Sequence, residues 1–95
     1  MFEVGASTSF RALHRMPEQP PPENELHPHD YRVEVVAERE RLDERGMVCH
    51  LGVVTGSLAD VADRVRGRDL SEVCGNEAVT VEILAAWIHA RLARP

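Results

Sequence analysis

Two histidines flank a proline at 27–29, where the stretch HPHDYRVEVV opens an alternating run. On a strand, residues i and i+2 point to one face, so the imidazoles of His27 and His29 project together, followed on that face by Tyr31, Val33 and Val35. Neighbouring imidazoles are the beginning of a metal site. A catalytic zinc takes three protein ligands and leaves a fourth position for water or substrate, so a third donor must come from elsewhere. The pair by itself does not specify a metal. His50 stands beside Cys49, but adjacent side chains point apart, which argues against a nucleophile and base acting together. His89 reads as a surface residue and Trp87 as core or subunit interface.

The elements that must position these groups follow from pattern and punctuation. FEVGASTSFRAL, residues 2–13, reads as a first strand with an irregularity at Gly5. RMPEQPPPENEL carries Pro17, Pro20, Pro21 and Pro22, which forbid helix and ladder pairing alike, so it is a loop. The second strand is expected over about 29–39, with Val36 breaking the alternation. ERERLDERG is a charged, solvated connection. Ser57 followed by Asp60 resembles an N-terminal cap, and Leu58, Val61, Ala62 and Val65 recur at helical spacing, giving a helix over 58–65. Residues 66–78 read as a loop. Thr80 then caps a second helix, 81–92, with Ile83, Leu84, Trp87, Ile88 and Leu92 on its buried side. The order is strand, strand, helix, helix, an α+β domain without internal repeats.

Composition excludes several classes. The 95 residues make one small domain, which leaves apolar surface uncovered unless copies associate. Sixteen acidic against 11 basic residues give a net charge of −5 with no basic cluster, which disfavours nucleic acid as a partner. All the basic residues are arginine, for which we have no physical account. Cys49 and Cys74 follow neither a C-x-x-C nor a framework pattern, as expected of free thiols in a reducing compartment. No apolar run approaches the roughly 20 residues of a membrane span, and no secretory leader pattern opens the chain. A cytoplasmic protein that does not span a membrane is the expectation.

Taken together, the motifs resemble those of the 6-pyruvoyltetrahydropterin synthase and 6-carboxytetrahydropterin synthase family. FRALHRMP at 10–17 is similar to the family's F-x-A-x-H-R-L-P, HPHDY at 27–31 to H-G-H-x-Y, and GMVCHL at 46–51 to G-M-V-x-D-F. RGRDL at 66–70 falls where the family has D-H-x-x-L, and VTVEILAAWI at 79–88 looks like P-T-x-E-x-x-A-x-W-I. Each motif is short, but five in order and spacing are specific. The resemblance implies a tunnelling fold, an antiparallel sheet with two helices on one face, closed into a barrel by three subunits and stacked into a hexamer of two trimers. It implies pockets between subunits that bind a pterin or purine-like ring. It also supplies the third metal donor, because the family holds zinc with the first-strand histidine and the H-x-H pair: here His14, His27 and His29.

The same resemblance shows departures. At the positions of the family's thiolate base and its Asp-His relay this sequence has Glu23, Arg66 and Gly67. Some relatives use a glutamate in the thiolate's place and cleave the pterin side chain differently, so Glu23 is a candidate base, with Glu25 the other. Both also fit a solvated proline-rich loop. The family closes with a hairpin whose glutamate receives the pterin's amino-pyrimidine edge, and the sequence stops at Pro95 before such a hairpin. The remaining ring contacts would be Thr80 and Glu82, which equally fit a helix cap and a first-turn carboxylate. Three functions follow: a protein that binds a pterin-like ligand without the synthase reaction; a zinc-dependent pterin side-chain lyase using Glu23; or a ligand-free assembly or regulatory subunit.

Overall fold

The computed structural model describes residues 1–92. Two long antiparallel strands, β1 (Phe2–His14) and β2 (His27–Arg39), are followed by helices α1 (Leu51–Val65), α2 (Leu70–Cys74) and α3 (Val81–Arg91). The strands pair without interruption from Phe2↔Arg39 to His14↔His27. Gly5 sits opposite Val36 in that register and makes no bulge. Alternation also continues past Val36, which stays 47% exposed while Ala37 is half-buried.

The strands reach further than the sequence pattern suggests, because β1 includes His14 and β2 begins at His27. A proline at 28 is admitted by register. Leu13 turns its N–H away from β2, donating to the Arg68 carbonyl at 2.8 Å, so Leu13 and Pro28 form a non-hydrogen-bonded pair. Proline therefore removes no ladder bond here.

The 15–26 loop is pinned to the end of β1. Met16 N–H donates to the Glu23 carbonyl at 2.8 Å, Glu23 N–H to Pro20 at 3.2 Å, and Glu25 N–H to Pro22 at 3.1 Å. The charged connection after β2 closes around Asp43, whose Oδ1 accepts from the N–H groups of Arg45 (2.8 Å) and Met47 (2.9 Å). The bond from Met47 leads in holding this carboxyl below the usual carboxylate range.

Helix α1 starts at Leu51, seven positions before the expected start at 58, and Ser57 lies within it, not at its cap. Gly52, Val53, Val54, Thr55 and Gly56 are poor helix formers, so local propensity points away from a helix here. Burial overrides it. Val54, Leu58, Val61, Ala62 and Val65 fall on one buried stripe, and the last four join Phe10 and Ala12 of β1 in the core. The cap position is His50, whose side chain makes no capping bond.

Residues 66–78 are not simply a loop. Gly67 takes the left-handed conformation at φ 73° after the α1 C-cap and donates to the Arg11 carbonyl at 2.7 Å. Leu13 pairs with Asp69 as a parallel bridge, which covers the second edge of β1. The short α2 then forms because Asp69 accepts from Ser71 N–H at 2.9 Å and Gly75 ends it at φ 69°. Thr80 caps α3 by accepting from Ile83 N–H at 3.2 Å, and α3 stops at Arg91 with Leu92 as its C-cap.

The core gathers Phe10 and Ala12 from β1 with Leu58, Val61, Ala62, Val65, Leu70, Val79, Leu84 and Ile88. Among the described residues no polar or charged side chain is fully buried. Trp87 is half-buried against this core, with the Arg91 guanidinium 3.9 Å from its ring centre. The molecule measures 54 × 22 × 19 Å. Strands of 13 residues extend about 44 Å at ~3.4 Å per residue, whereas the 15 residues of α1 extend about 22 Å. The helices cover the hairpin from its His14 end as far as Ala6 and Val35 and leave the Phe2 end open.

Candidate functional site

The covered end of the hairpin carries the histidines. Since Leu13 and Pro28 form a non-hydrogen-bonded pair, His14 and His27 are the adjacent hydrogen-bonded one, and their side chains leave the same face as Phe10, Ala12 and Tyr31. His29, two residues on, shares that face. The rings converge accordingly: His14 to His27 at 4.4 Å and His14 to His29 at 5.0 Å between ring centres. Tyr31 continues the row, 4.9 Å from His29 and stacked on Phe10 at 5.4 Å. The histidines stand at the tip of an aromatic stripe that runs into the core.

His14 is the central ring of the three. Desolvation lowers its pKa first, and the neighbouring His27 and His29 lower it further, which favours the neutral imidazole. A neutral imidazole is the metal-binding form. His27 turns Nδ1 to the Glu25 backbone carbonyl at 2.8 Å. His14 and His27 are half-buried and His29 is exposed, so the cluster opens to solvent. As the side chains stand, no group of three or more His, Cys, Asp or Glu among the described residues is arranged to hold a metal ion. Three imidazoles are donors of the type that zinc takes.

The other expected site residues are placed by their local structure. Glu23 lies exposed in the pinned loop, between the two strand ends that carry His14 and His27. Glu25 is exposed too and contributes its carbonyl to His27. Thr80 uses its hydroxyl as the α3 cap, and Glu82 is exposed in the first turn of that helix. Arg66 and Gly67 form the turn that ends α1, with Arg66 donating to the Ser9 carbonyl and to Asp63, both at 3.4 Å. Neither position offers a proton relay. Cys49 precedes α1 and Cys74 ends α2, both free and half-buried, so no thiol lies in the loop that holds Glu23. Burial raises the Cys74 thiol, and the Arg91 charge opposes that in part.

Two contributors escape a reading by side-chain type. The Arg15 guanidinium reaches Asp69 at 3.5 Å and ties the exit of β1 to the α2 cap. The Glu25 contact uses a backbone carbonyl, for which no residue type is a signal. Only the crowding of prolines before HPH hints that the approach to His27 is fixed.

Comparison with known proteins agrees with this arrangement. The family model for 6-pyruvoyl tetrahydropterin synthase matches residues 3–95. A Synechocystis protein named 6-carboxy-5,6,7,8-tetrahydropterin synthase is 34% identical over 97 aligned positions, covering 97% of this chain and 75% of the relative. The solved structure of Caenorhabditis elegans 6-pyruvoyl tetrahydropterin synthase superimposes with a TM-score of 0.75 at 24% identity, over 96% of this chain and 76% of that one, and shows the same tunnelling-type fold. The fold is thus shared with a solved member, the family model spans nearly the whole chain, and this chain belongs to the 6-pyruvoyl tetrahydropterin synthase family.

Proposed function

We propose that this protein binds a pterin-like small molecule beside a zinc ion held by His14, His27 and His29, and that it does not carry out the family's synthase reaction. The observation that carries the reading is the convergence of three imidazoles, 4.4 and 5.0 Å apart, beside a loop that contains no thiol. Zinc, when bound, acts as a Lewis acid toward an oxygen of the ligand. The chain's own contribution is a preformed imidazole row and an open approach to it. Proton abstraction next to the ring has no thiolate and no Asp-His pair to perform it, since those positions hold Glu23, Arg66 and Gly67. General acid-base groups contribute about 10² to 10⁴ each, so their joint loss removes measurable turnover. Thr80 and Glu82 are the proposed contacts to the ring.

The Synechocystis relative, whose name is that of a synthase, points toward a retained synthase reaction, and a second reading also makes the chain an enzyme, but of altered chemistry. Under it Glu23 is the base of an altered side-chain cleavage. Its position between the histidine-bearing strand ends supports access, while its exposure provides no burial to tune it.

We further propose a cytoplasmic homo-oligomer, a hexamer of two trimers, because the Phe2 end of the hairpin and the free edge of β2 lack a cover within the chain. A ligand-free assembly role is the outcome if no small molecule binds. One experiment separates these readings: protein purified without a histidine tag is analysed for zinc, then incubated with dihydroneopterin triphosphate and a tetrahydropterin while binding and products are followed. Near-stoichiometric zinc that disappears in His14→Ala, with binding and no product, supports the first reading. A hydroxymethyl pterin product that Glu23→Gln abolishes replaces it with the second. Turnover within tenfold of an ordinary synthase overturns the claim of lost reaction, and less than a tenth of an equivalent of zinc after supplementation overturns the metal site.

A further inference from the structure

The His27 ring is held from behind by something no side chain supplies. Its Nδ1 lies 2.8 Å from the Glu25 carbonyl, and a carbonyl oxygen only accepts, so the proton of neutral His27 must sit on Nδ1. That leaves the Nε2 lone pair unprotonated. The carbonyl is fixed in its turn: Glu25 N–H donates to Pro22, Glu23 N–H to Pro20, and Met16 N–H to the Glu23 carbonyl at 2.8 Å, anchoring the turn to the chain just beyond β1. On the other side, Pro28 restricts the His27 backbone to extended conformations and β2 pairing fixes it against His14. Backbone and ring are therefore fixed separately, one by proline and register, the other by the loop.

We infer that the 15–26 loop is a positioning element that locks His27 in its Nδ1–H tautomer and presents Nε2 to the site shared with His14 and His29. The inference rests on the zinc reading for its purpose but not for its structure, because the tautomer is set before any metal arrives. Metal-binding histidines depend on such acceptors for their orientation and basicity, and loss of one lowers metal affinity about 10- to 100-fold. Here the acceptor belongs to the main chain. No substitution at position 25 that preserves the turn removes it, so Glu25→Ala leaves the tautomer unchanged while a slack loop does not.

Long-range ¹H–¹⁵N correlation spectra of the full, metal-stripped chain, recorded well above the ordinary histidine pKa, read the tautomer directly. The expected result is Nδ1–H at His27, retained in Glu25→Ala. In a chain whose residues 17–24 are replaced by an equal length of glycine and serine, His27 should revert toward the Nε2–H form that free imidazole prefers. Zinc affinity, measured by competition with a chelating dye, should fall about 10- to 100-fold in that variant. Nε2–H at His27 in the native chain overturns the inference, as does an unchanged tautomer after the loop replacement. The native-chain measurement stands even if the replacement fails to fold. The two proposals also fail separately: an Nδ1–H His27 in a protein that never holds zinc removes the metal and keeps the lock, and zinc bound with an Nε2–H His27 does the reverse.

Discussion

The two ends of the hairpin are built from the same kind of sequence and live in different surroundings. From Phe10 to His14, β1 has β2 on one edge, residues 67–69 on the other, and α1 across its face, so Phe10 is 3% exposed and Ala12 is fully buried. From Phe2 to Gly5 it has β2 beside it and no residue in the core. On the core-facing side Phe2 is 47% exposed and Val4 only half-buried, and the core first reaches the strand at Ala6. Alternation is equally clean in both halves. The pattern thus specifies a face that must be covered, and the chain's own helices cover it at only one end; the histidines sit at the covered one, where neighbours hold their rings in place.

The largest expected effect tests that contrast directly. Phe10→Ala should cost about 3–5 kcal/mol of stability, since a nearly fully buried ring is removed from a packed core. Phe2→Ala at the open end should cost less than about 0.5 kcal/mol in the isolated chain and show itself in the oligomeric mass instead. Urea denaturation and light scattering on both variants check the pair. Equal losses of stability would mean that the open end is covered within the chain after all.

The next effect separates two glycines around the same helix. Neither has an atom within 4 Å of an added Cβ, so only backbone preference decides. Gly67→Ala should lose about 1–2 kcal/mol because φ is 73°. Gly56→Ala, inside α1, should gain about 0.5–1 kcal/mol. Thermal unfolding should therefore move in opposite directions for one and the same change. His50→Asp comes next, with a gain of about 1 kcal/mol, since the α1 cap lacks a side-chain acceptor and no acidic residue lies in its first turn.

The smallest effect concerns acid. Asp43 titrates below its ordinary value, first because Met47 N–H bonds its charged form. A depressed carboxylate stabilises the fold above its unfolded pKa and loses that contribution as pH falls through the folded value. Asp43→Asn should therefore lower stability at neutral pH and remove a fraction of the decline below about pH 4. Parallel acid titrations followed by circular dichroism would show whether the two curves converge at the acid end, as required.

Much of the arrangement is legible residue by residue. Period-two alternation locates both strands because it reports the burial of one face, and Thr80 marks the start of α3 because its hydroxyl meets an orphan N–H wherever that helix begins. The first half of α1 is not legible. Gly52, Val53, Val54, Thr55 and Gly56 prefer other conformations, and their helix is legible only from the burial of Val54 in line with Leu58, Val61, Ala62 and Val65. The same holds for 66–70, where an apparent loop becomes the second neighbour of β1 through bonds to Arg11 and Leu13. Within the site, histidine types and spacing place the rings on one face, but their approach to 4.4 and 5.0 Å depends on the register between His14 and His27.

By itself, then, the sequence determined what each segment needs: an apolar face to be covered, helix starts to be capped, three imidazoles with no thiol beside them. Local chemistry is sufficient for these because each depends on a few neighbouring residues and one periodicity. Tertiary structure decided which partner satisfies each need, and whether any does within the chain. It chose the 67–69 segment for the inner edge of β1, α1 for Phe10 and Ala12, and a loop carbonyl for His27. Such choices belong to contacts between residues distant in sequence, whose closure no local propensity encodes, and they are what separates a histidine pattern from a site with oriented rings.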